Sequence, residues 1–155
     1  MTRVPDEVVA VVRGYVTSRQ IGADSALDES DRRFAELRRS GNFETLGTMF
    51  LTAFTVAARR KFPAWYPADI IRYVASLRGC DPEAASYLNA VAAENQLRMA
   101  LGQELTPYPD MTERGRVQMT LLIALTLDYT DDDLDSLMTE ARALADRSIA
   151  AAQGA

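Results

Sequence analysis

The sequence contains no histidine and a single cysteine, Cys80. Without histidine there can be no Ser-His-Asp triad, no Cys-His pair and no histidine-bound metal. A lone cysteine excludes an internal disulfide and a thiolate zinc cluster. Lysine occurs once, as Lys61, and the eight glycines are scattered without nucleotide-binding spacing. We therefore expect a non-enzymatic protein with no cofactor.

Long apolar runs are also missing. The longest, residues 117–127, is interrupted by Gln118, Thr120 and Thr126, and it is much shorter than the ~20 residues that span a bilayer. Residues 1–7 carry two acids before a short apolar run, whereas a secretory signal begins with positive charge. These features predict a cytoplasmic protein that does not interact with membranes.

The charge is acidic overall and unevenly distributed. The net charge is −5, with +3 in residues 1–79 and −8 in residues 80–155. Binding to nucleic acid needs a local excess of cations to neutralise phosphate, so a nucleic-acid partner is not expected. Sixteen of the 17 basic residues are arginine and 24 residues are alanine, which indicates a GC-rich, bacterial genome.

The hydrophobic periodicity predicts an all-α protein, a compact orthogonal or bundle-like domain of six to seven helices that includes residues 1–155. The valines of the first helix leave a strand as an alternative there. Helix-capping residues such as Ser30, Asn42, Asp81, Thr112 and Thr130 mark predicted starts. The predicted helices comprise residues 5–19, 30–39, 42–61, 67–78, 82–101, 112–128 and 131–149, and residues 150–155 are expected to fray.

Carboxylates cluster at the start of the last predicted helix, where Asp131, Asp132 and Asp135 are weak candidates for metal ligands. Their spacing resembles the Asp-Asp-x-x-Asp motif of isoprenoid synthases, but nothing else in the chain does. An EF-hand loop fails because Ser136 stands where glycine is required and Arg142 where glutamate is required. Acids beside an N-cap are stabilised by the helix dipole without metal, and that interpretation is favoured.

A basic and aromatic segment lies between the third and fourth predicted helices. Arg59, Arg60 and Arg72 accompany Trp65 and Tyr66, which stand between two prolines. A helix-turn-helix is disfavoured because the connection is long and contains those prolines. The two rings would anchor an interface if they are exposed, and would fill the end of the bundle if they are buried. Burial is the favoured interpretation.

Asn95 is predicted to lie on an apolar helix face with Leu88, Val91 and Ala92. It is a candidate ligand contact inside a helical cavity, although hydrogen bonding to a neighbouring backbone group is the commoner role of such a residue. On the third helix, the predicted apolar face includes Phe43 and Phe50.

The leading functional hypothesis is a non-enzymatic cytoplasmic interaction module of unknown partner that forms a homodimer. It depends on apolar stripes along the first and last helices, whose exposure would forfeit several kcal/mol at ~25 cal/mol per Å². The two stripes can pack on each other or on a second chain, and the competing arrangement folds both onto the third and sixth helices and leaves a monomer. Alternatives are a small-molecule-binding domain, with a cavity between the third, fifth and sixth helices, and an acidic antitoxin- or inhibitor-like protein with a basic protein partner.

Overall fold

The computed structural model describes residues 3–80 and 82–154, and within them the chain is helical without any β-strand. The all-α prediction is therefore confirmed. The helices are α1 (Asp6–Ile21), α2 (Asp24–Arg39), α3 (Phe43–Lys61), α4 (Pro67–Cys80), α5 (Pro82–Tyr87), α6 (Ala90–Ala100), α7 (Met111–Leu125) and α8 (Asp131–Gln153). Among the residues described, none of these helices combines the length and the apolar character needed to cross a bilayer.

Over the described residues there are eight helices in place of the predicted six to seven, because the segment predicted as one helix over residues 82–101 is two. Asn89 has extended backbone angles (φ −65°, ψ 121°), and its side chain accepts a hydrogen bond from the Ala92 amide. Asparagine is a strong N-cap, so it begins α6 instead of continuing α5. Asp81, the predicted cap of the single helix, lies outside the described residues.

Three predicted helix boundaries differ from those of the structure. α2 begins at Asp24, so Ser30 is a buried residue inside the helix and not its cap. α7 begins one residue before Thr112, and the Asp110 carboxylate accepts from the Glu113 amide at 3.0 Å. α8 continues to Gln153, beyond the predicted end at residue 149. The capping box of Thr130 and Asp133, by contrast, is formed in both directions.

The chain divides into two compact units. The terminal unit comprises residues 1–53 and 126–155, and the central unit comprises residues 54–125. The first division falls inside α3, and the second falls at the end of α7.

Three aromatic rings form the centre of the terminal unit. Tyr15 of α1 packs edge-on against Phe50 of α3 at 5.2 Å between ring centroids, and Phe34 of α2 lies 5.8 Å from Phe50. The Arg19 guanidinium covers the Tyr15 ring at 3.6 Å and pairs with Asp31 at 2.7 Å. The cluster thus joins three helices, with a cation–π contact on one side.

The apolar stripes of α1 and α8 are buried within one chain. Val8, Val12 and Val16 of α1 are fully buried, as are Leu137 and Ala141 of α8. α1 packs against both α2 and α8. These stripes therefore need no second chain to cover them, and the argument that based dimerisation on them is lost.

The backbone of the segment before α1 is hydrogen-bonded to side chains of α8. The Val4 amide donates to Asp146 Oδ1 at 2.6 Å, and the Val4 carbonyl accepts from Arg142. Arg142 also pairs with Asp6 at 2.7 Å. Val4 is fully buried, so these hydrogen bonds supply partners for its backbone amide and carbonyl, which water cannot reach.

The central unit is built around α6, which packs against α4 and α7. Its buried side chains include Phe54 and Ala57 from α3, Ile70 from α4, Leu97 from α6 and Leu121 from α7. α4 also packs on the short α5. Several alanines of this unit are buried as well, among them Ala58, Ala92 and Ala93.

The aromatic centre yields a stability prediction. Replacing Phe50, which is 6 % exposed, with alanine should lower the free energy of unfolding by about 3–5 kcal/mol, since it leaves a cavity between Tyr15 and Phe34. Phe43→Ala, at a ring that is 60 % exposed, is the matched control and should cost under about 0.5 kcal/mol. Chemical denaturation measures both. Equal effects of the two substitutions would show that Phe50 is not central.

Candidate interaction site

Five of the six candidate interface or ligand residues belong to one continuous segment of the central unit. Arg59 and Arg60 lie in the last turn of α3, Trp65 and Tyr66 lie in the connection, and Arg72 lies in α4. We call residues 59–72 the aromatic–basic turn. The sixth candidate, Asn95, lies on α6.

Within the aromatic–basic turn, the connection between the two helices begins where Pro63 ends α3. The Phe62 amide still donates to the Ala58 carbonyl at 3.0 Å, but Pro63 has no amide hydrogen with which to continue the helix. The Phe62 ring then packs edge-on against Tyr73 of α4, with 5.3 Å between centroids. This contact fixes the start of the turn to the helix that follows it.

Asp69, in the first turn of α4, is hydrogen-bonded to the backbone at the end of the connection. Its Oδ2 accepts from the Tyr66 amide at 2.7 Å, and its own amide donates to the Tyr66 carbonyl at 2.9 Å. Its Oδ1 also accepts from Arg72 at 2.8 Å. The Tyr66 amide and then the Arg72 guanidinium hold the pKa of the Asp69 carboxyl below its usual value, because both stabilise the ionised form.

The reciprocal bonds of Asp69 resemble a capping box, and sequence reasoning missed them. The available signal was an acid in the first turn of a helix that opens with Pro67. In the structure Asp69 holds the backbone of Tyr66 by two hydrogen bonds.

The two central rings of the turn differ in exposure. Tyr66 is 77 % exposed, the largest value among the large hydrophobic side chains of the described residues. Trp65 is half-buried. The prediction that both rings fill the end of the bundle is therefore wrong for Tyr66, because the hydrogen bonds to Asp69 hold its backbone at the surface.

The cations of the turn are held by different partners. Arg59 Nε donates to the Ala100 carbonyl at 3.1 Å, at the last residue of α6. Arg72 is bound to Asp69, and Lys61 Nζ lies 5.8 Å from the centre of the Tyr73 ring. Lys61 is exposed and forms no ion pair within the described residues. The turn thus contains a cation without an ion pair, Lys61, and an exposed aromatic ring, Tyr66.

Asn95 binds backbone groups, as its commoner role predicts. Its Nδ2 donates to the Thr106 carbonyl at 3.1 Å, and its Oδ1 accepts from the Tyr108 amide at 3.2 Å. Gln96, 5 % exposed, donates to the same Oδ1 and accepts from Gln118 at 2.6 Å. This chain of amides holds the loop before α7 against α6, so the hydrogen bonds of Asn95 are made within the fold. The predicted apolar face around it is incorrect at Val91, which is 66 % exposed.

The carboxylates at the start of α8 face an arginine. Arg13 Nε lies 2.8 Å from Asp135 Oδ1, and Arg13 Nη2 lies 3.9 Å from Asp131. Asp132 is exposed. In the part of the chain that the structure describes, no three Cys, Asp or Glu side chains are grouped so that they could hold a metal ion. Asp131 and Asp135, two of the three candidate ligands, instead pair with the Arg13 guanidinium.

No protein-family model, curated protein or solved structure gives a significant match to this chain. Function must therefore be inferred from the residues of the turn and their surroundings.

Alkaline pH should test the anchoring of the turn. Burial raises the pKa of Tyr73 from 10.0 to about 12, since the folded state favours the neutral phenol. The stabilisation is complete below pH 10.0 and is lost as pH rises from there to about 12. Tyr73→Phe should therefore flatten the fall in unfolding free energy over this range. Denaturant titrations at several pH values measure it, with neutral pH giving the effect of the hydroxyl alone. An unchanged slope would contradict the assignment.

The Asn95 contacts make a second prediction. Asn95→Ala removes the acceptor of the Tyr108 amide, so hydrogen exchange at that amide should accelerate. Asn95→Asp keeps an acceptor and should retain most of the protection, although it loses the donor to the Thr106 carbonyl. Amide exchange measured by NMR distinguishes the two variants. Equal exchange at Tyr108 in all three proteins would show that Asn95 does not hold the loop.

Proposed function

We propose that this protein is a non-enzymatic cytoplasmic interaction module that self-associates through the aromatic–basic turn. The observation that carries the proposal is the 77 % exposure of Tyr66 on a backbone fixed by Asp69. Because the backbone of Tyr66 is already fixed, binding would order only the side-chain torsions of its ring. The single exposed cysteine, Cys80, is compatible with a reducing compartment.

The composition of the turn supports a protein partner. Tyrosine, tryptophan and arginine are the residue types that dominate binding energy at interfaces. Tyr66 and the partly exposed Trp65 lie in the same turn as Arg59, Arg60 and Arg72. Guanidinium groups also stack on aromatic rings of a partner, which adds attraction beyond opposite charge.

A second copy of the chain has the complementary charge. Residues 59–80 contain five basic residues and one acid, whereas the terminal unit contains nine basic residues and 15 acids. Asp132 is exposed at the start of α8 and forms no ion pair within the described residues. We place the basic turn of one copy against this acidic surface of another, and two equivalent contacts would close a dimer.

Analytical ultracentrifugation of the unmodified chain and two tyrosine variants tests the self-association. Tyr66→Ala should weaken the dimer at least about tenfold, or 1.4 kcal/mol. Tyr87→Ala is the matched control, because Tyr87 is also exposed, at 48 %, but lies on α5 outside the turn. Melting curves confirm that both variants fold. A monomer at all concentrations, or equal effects of the two variants, would contradict the proposal.

A charge exchange tests the orientation of the contact. Lys61→Glu and Asp132→Lys should each weaken association, and the double variant should restore part of it because the opposite charges are again matched. Association of the unmodified protein should also weaken with added salt. If the double variant is as weak as the sum of the single ones, the turn does not contact the start of α8.

The two alternative functions remain predictions. A ligand cavity between α3, α6 and α7, or an antitoxin-like contact with a basic protein, gains no specific observation beyond the acidic net charge.

A further inference from the structure

A second candidate site lies in the terminal unit, at the junction of α2 and α3. A surface cavity of about 440 Å³ is lined there by Ala35, Arg38, Arg39 and Phe43. The cavity is open to solvent, so its lining side chains, and not enclosure, would supply the recognition of a ligand. None of these residues belongs to the aromatic–basic turn or to the start of α8, the two surfaces that the proposed self-association uses.

The two arginines of this cavity are unpaired in an acidic unit. Earlier on α2, Arg32 pairs with Glu29 and Glu36 at 2.8 and 2.6 Å, and Arg33 pairs with Glu29. Arg38 and Arg39, on the same helix, form no ion pair within the described residues. Their position near the end of α2 is favourable to cations, but their guanidinium donors remain available to an anion.

Phe43 supplies the cavity with an exposed aromatic face. The sequence predicted that its ring would face inward, yet it is 60 % exposed at the first residue of α3. The Arg38 guanidinium lies 5.3 Å from the centre of the Phe43 ring and 6.0 Å from that of Phe34. The more buried Phe34 ring belongs to the aromatic centre of the unit, so Arg38 is held between a fixed ring and an exposed one.

From this arrangement we infer that the cavity binds a phosphate ester that carries a planar ring, of the size of a mononucleotide. The phosphate accepts hydrogen bonds from Arg39 and Arg38, whose guanidinium groups match its oxygens in pairs. The planar ring stacks on Phe43, as bases do on exposed aromatic side chains. Neither feature distinguishes one base from another, so the site recognises the class and not the base.

Calorimetric titration of the full chain with the four ribonucleoside monophosphates tests this inference. We expect at least one of them to bind with a Kd of about 1 mM or tighter. The nucleoside alone and inorganic phosphate alone should each bind at least about tenfold more weakly, since each offers only one of the two contacts.

Variants then locate the site. Arg39→Gln and Phe43→Ala should each weaken nucleotide binding at least about fivefold, whereas Arg32→Gln, at a paired arginine of the same helix, should not. Because Arg39 and Phe43 are both exposed, the variants should retain the melting temperature of the unmodified protein. The inference is overturned if no nucleotide binds, if inorganic phosphate binds as tightly as the nucleotides, or if Arg32→Gln weakens binding as much as Arg39→Gln.

Discussion

The guanidinium group of arginine joins the helices of this protein within each unit. In the terminal unit Arg19 of α1 reaches Asp31 of α2, and Arg142 of α8 reaches the carbonyl of Val4. In the central unit Arg59 of α3 donates to the last residue of α6, and Arg78 of α4 donates to the Ala85 carbonyl of α5 at 3.1 Å. One planar group with five donors can satisfy a carbonyl and a carboxylate together, which an ammonium does with less geometric definition.

The central unit adds a second connecting device, made of amides. Gln118, Gln96 and Asn95 form a continuous series of hydrogen bonds that ends on the backbone of the loop before α7. An amide carries both donors and acceptors, so each member satisfies its neighbour without introducing a charge into a buried position. Buried Gln96 is thereby tolerated in a helix that is otherwise lined with alanine and leucine.

The sequence was sufficient for the helical class and for most helix positions, because apolar spacing and capping residues are local signals. The sequence did not predict helix boundaries correctly where a residue type is compatible with two local roles. Asn89 interrupts a periodic segment by capping α6, and Ser30 is a good cap that is buried inside α2. The exposure of Tyr66 depends on hydrogen bonds to Asp69, and hydrophobicity alone does not report them.

The candidate sites show the same limit. The sequence identified the segment from Arg59 to Arg72, since its cations and rings are close along the chain. It did not identify the pocket of Arg38 and Phe43, because the importance of Arg38 depends on which of the arginines of α2 are paired with acids. Whether an arginine pairs with an acid depends on where both side chains lie in the folded protein, and composition does not report those positions.

Trp65 gives the protein a built-in optical probe. It is the only tryptophan, it is half-buried, and it lies in the aromatic–basic turn. Its emission therefore reports on the solvation of that one turn without any added label. Cys80, the only thiol, is exposed at the last residue of α4, and a 14-residue helix is about 20 Å long. Energy transfer from Trp65 to an acceptor dye on Cys80 would therefore report the distance between the turn and the last residue of α4.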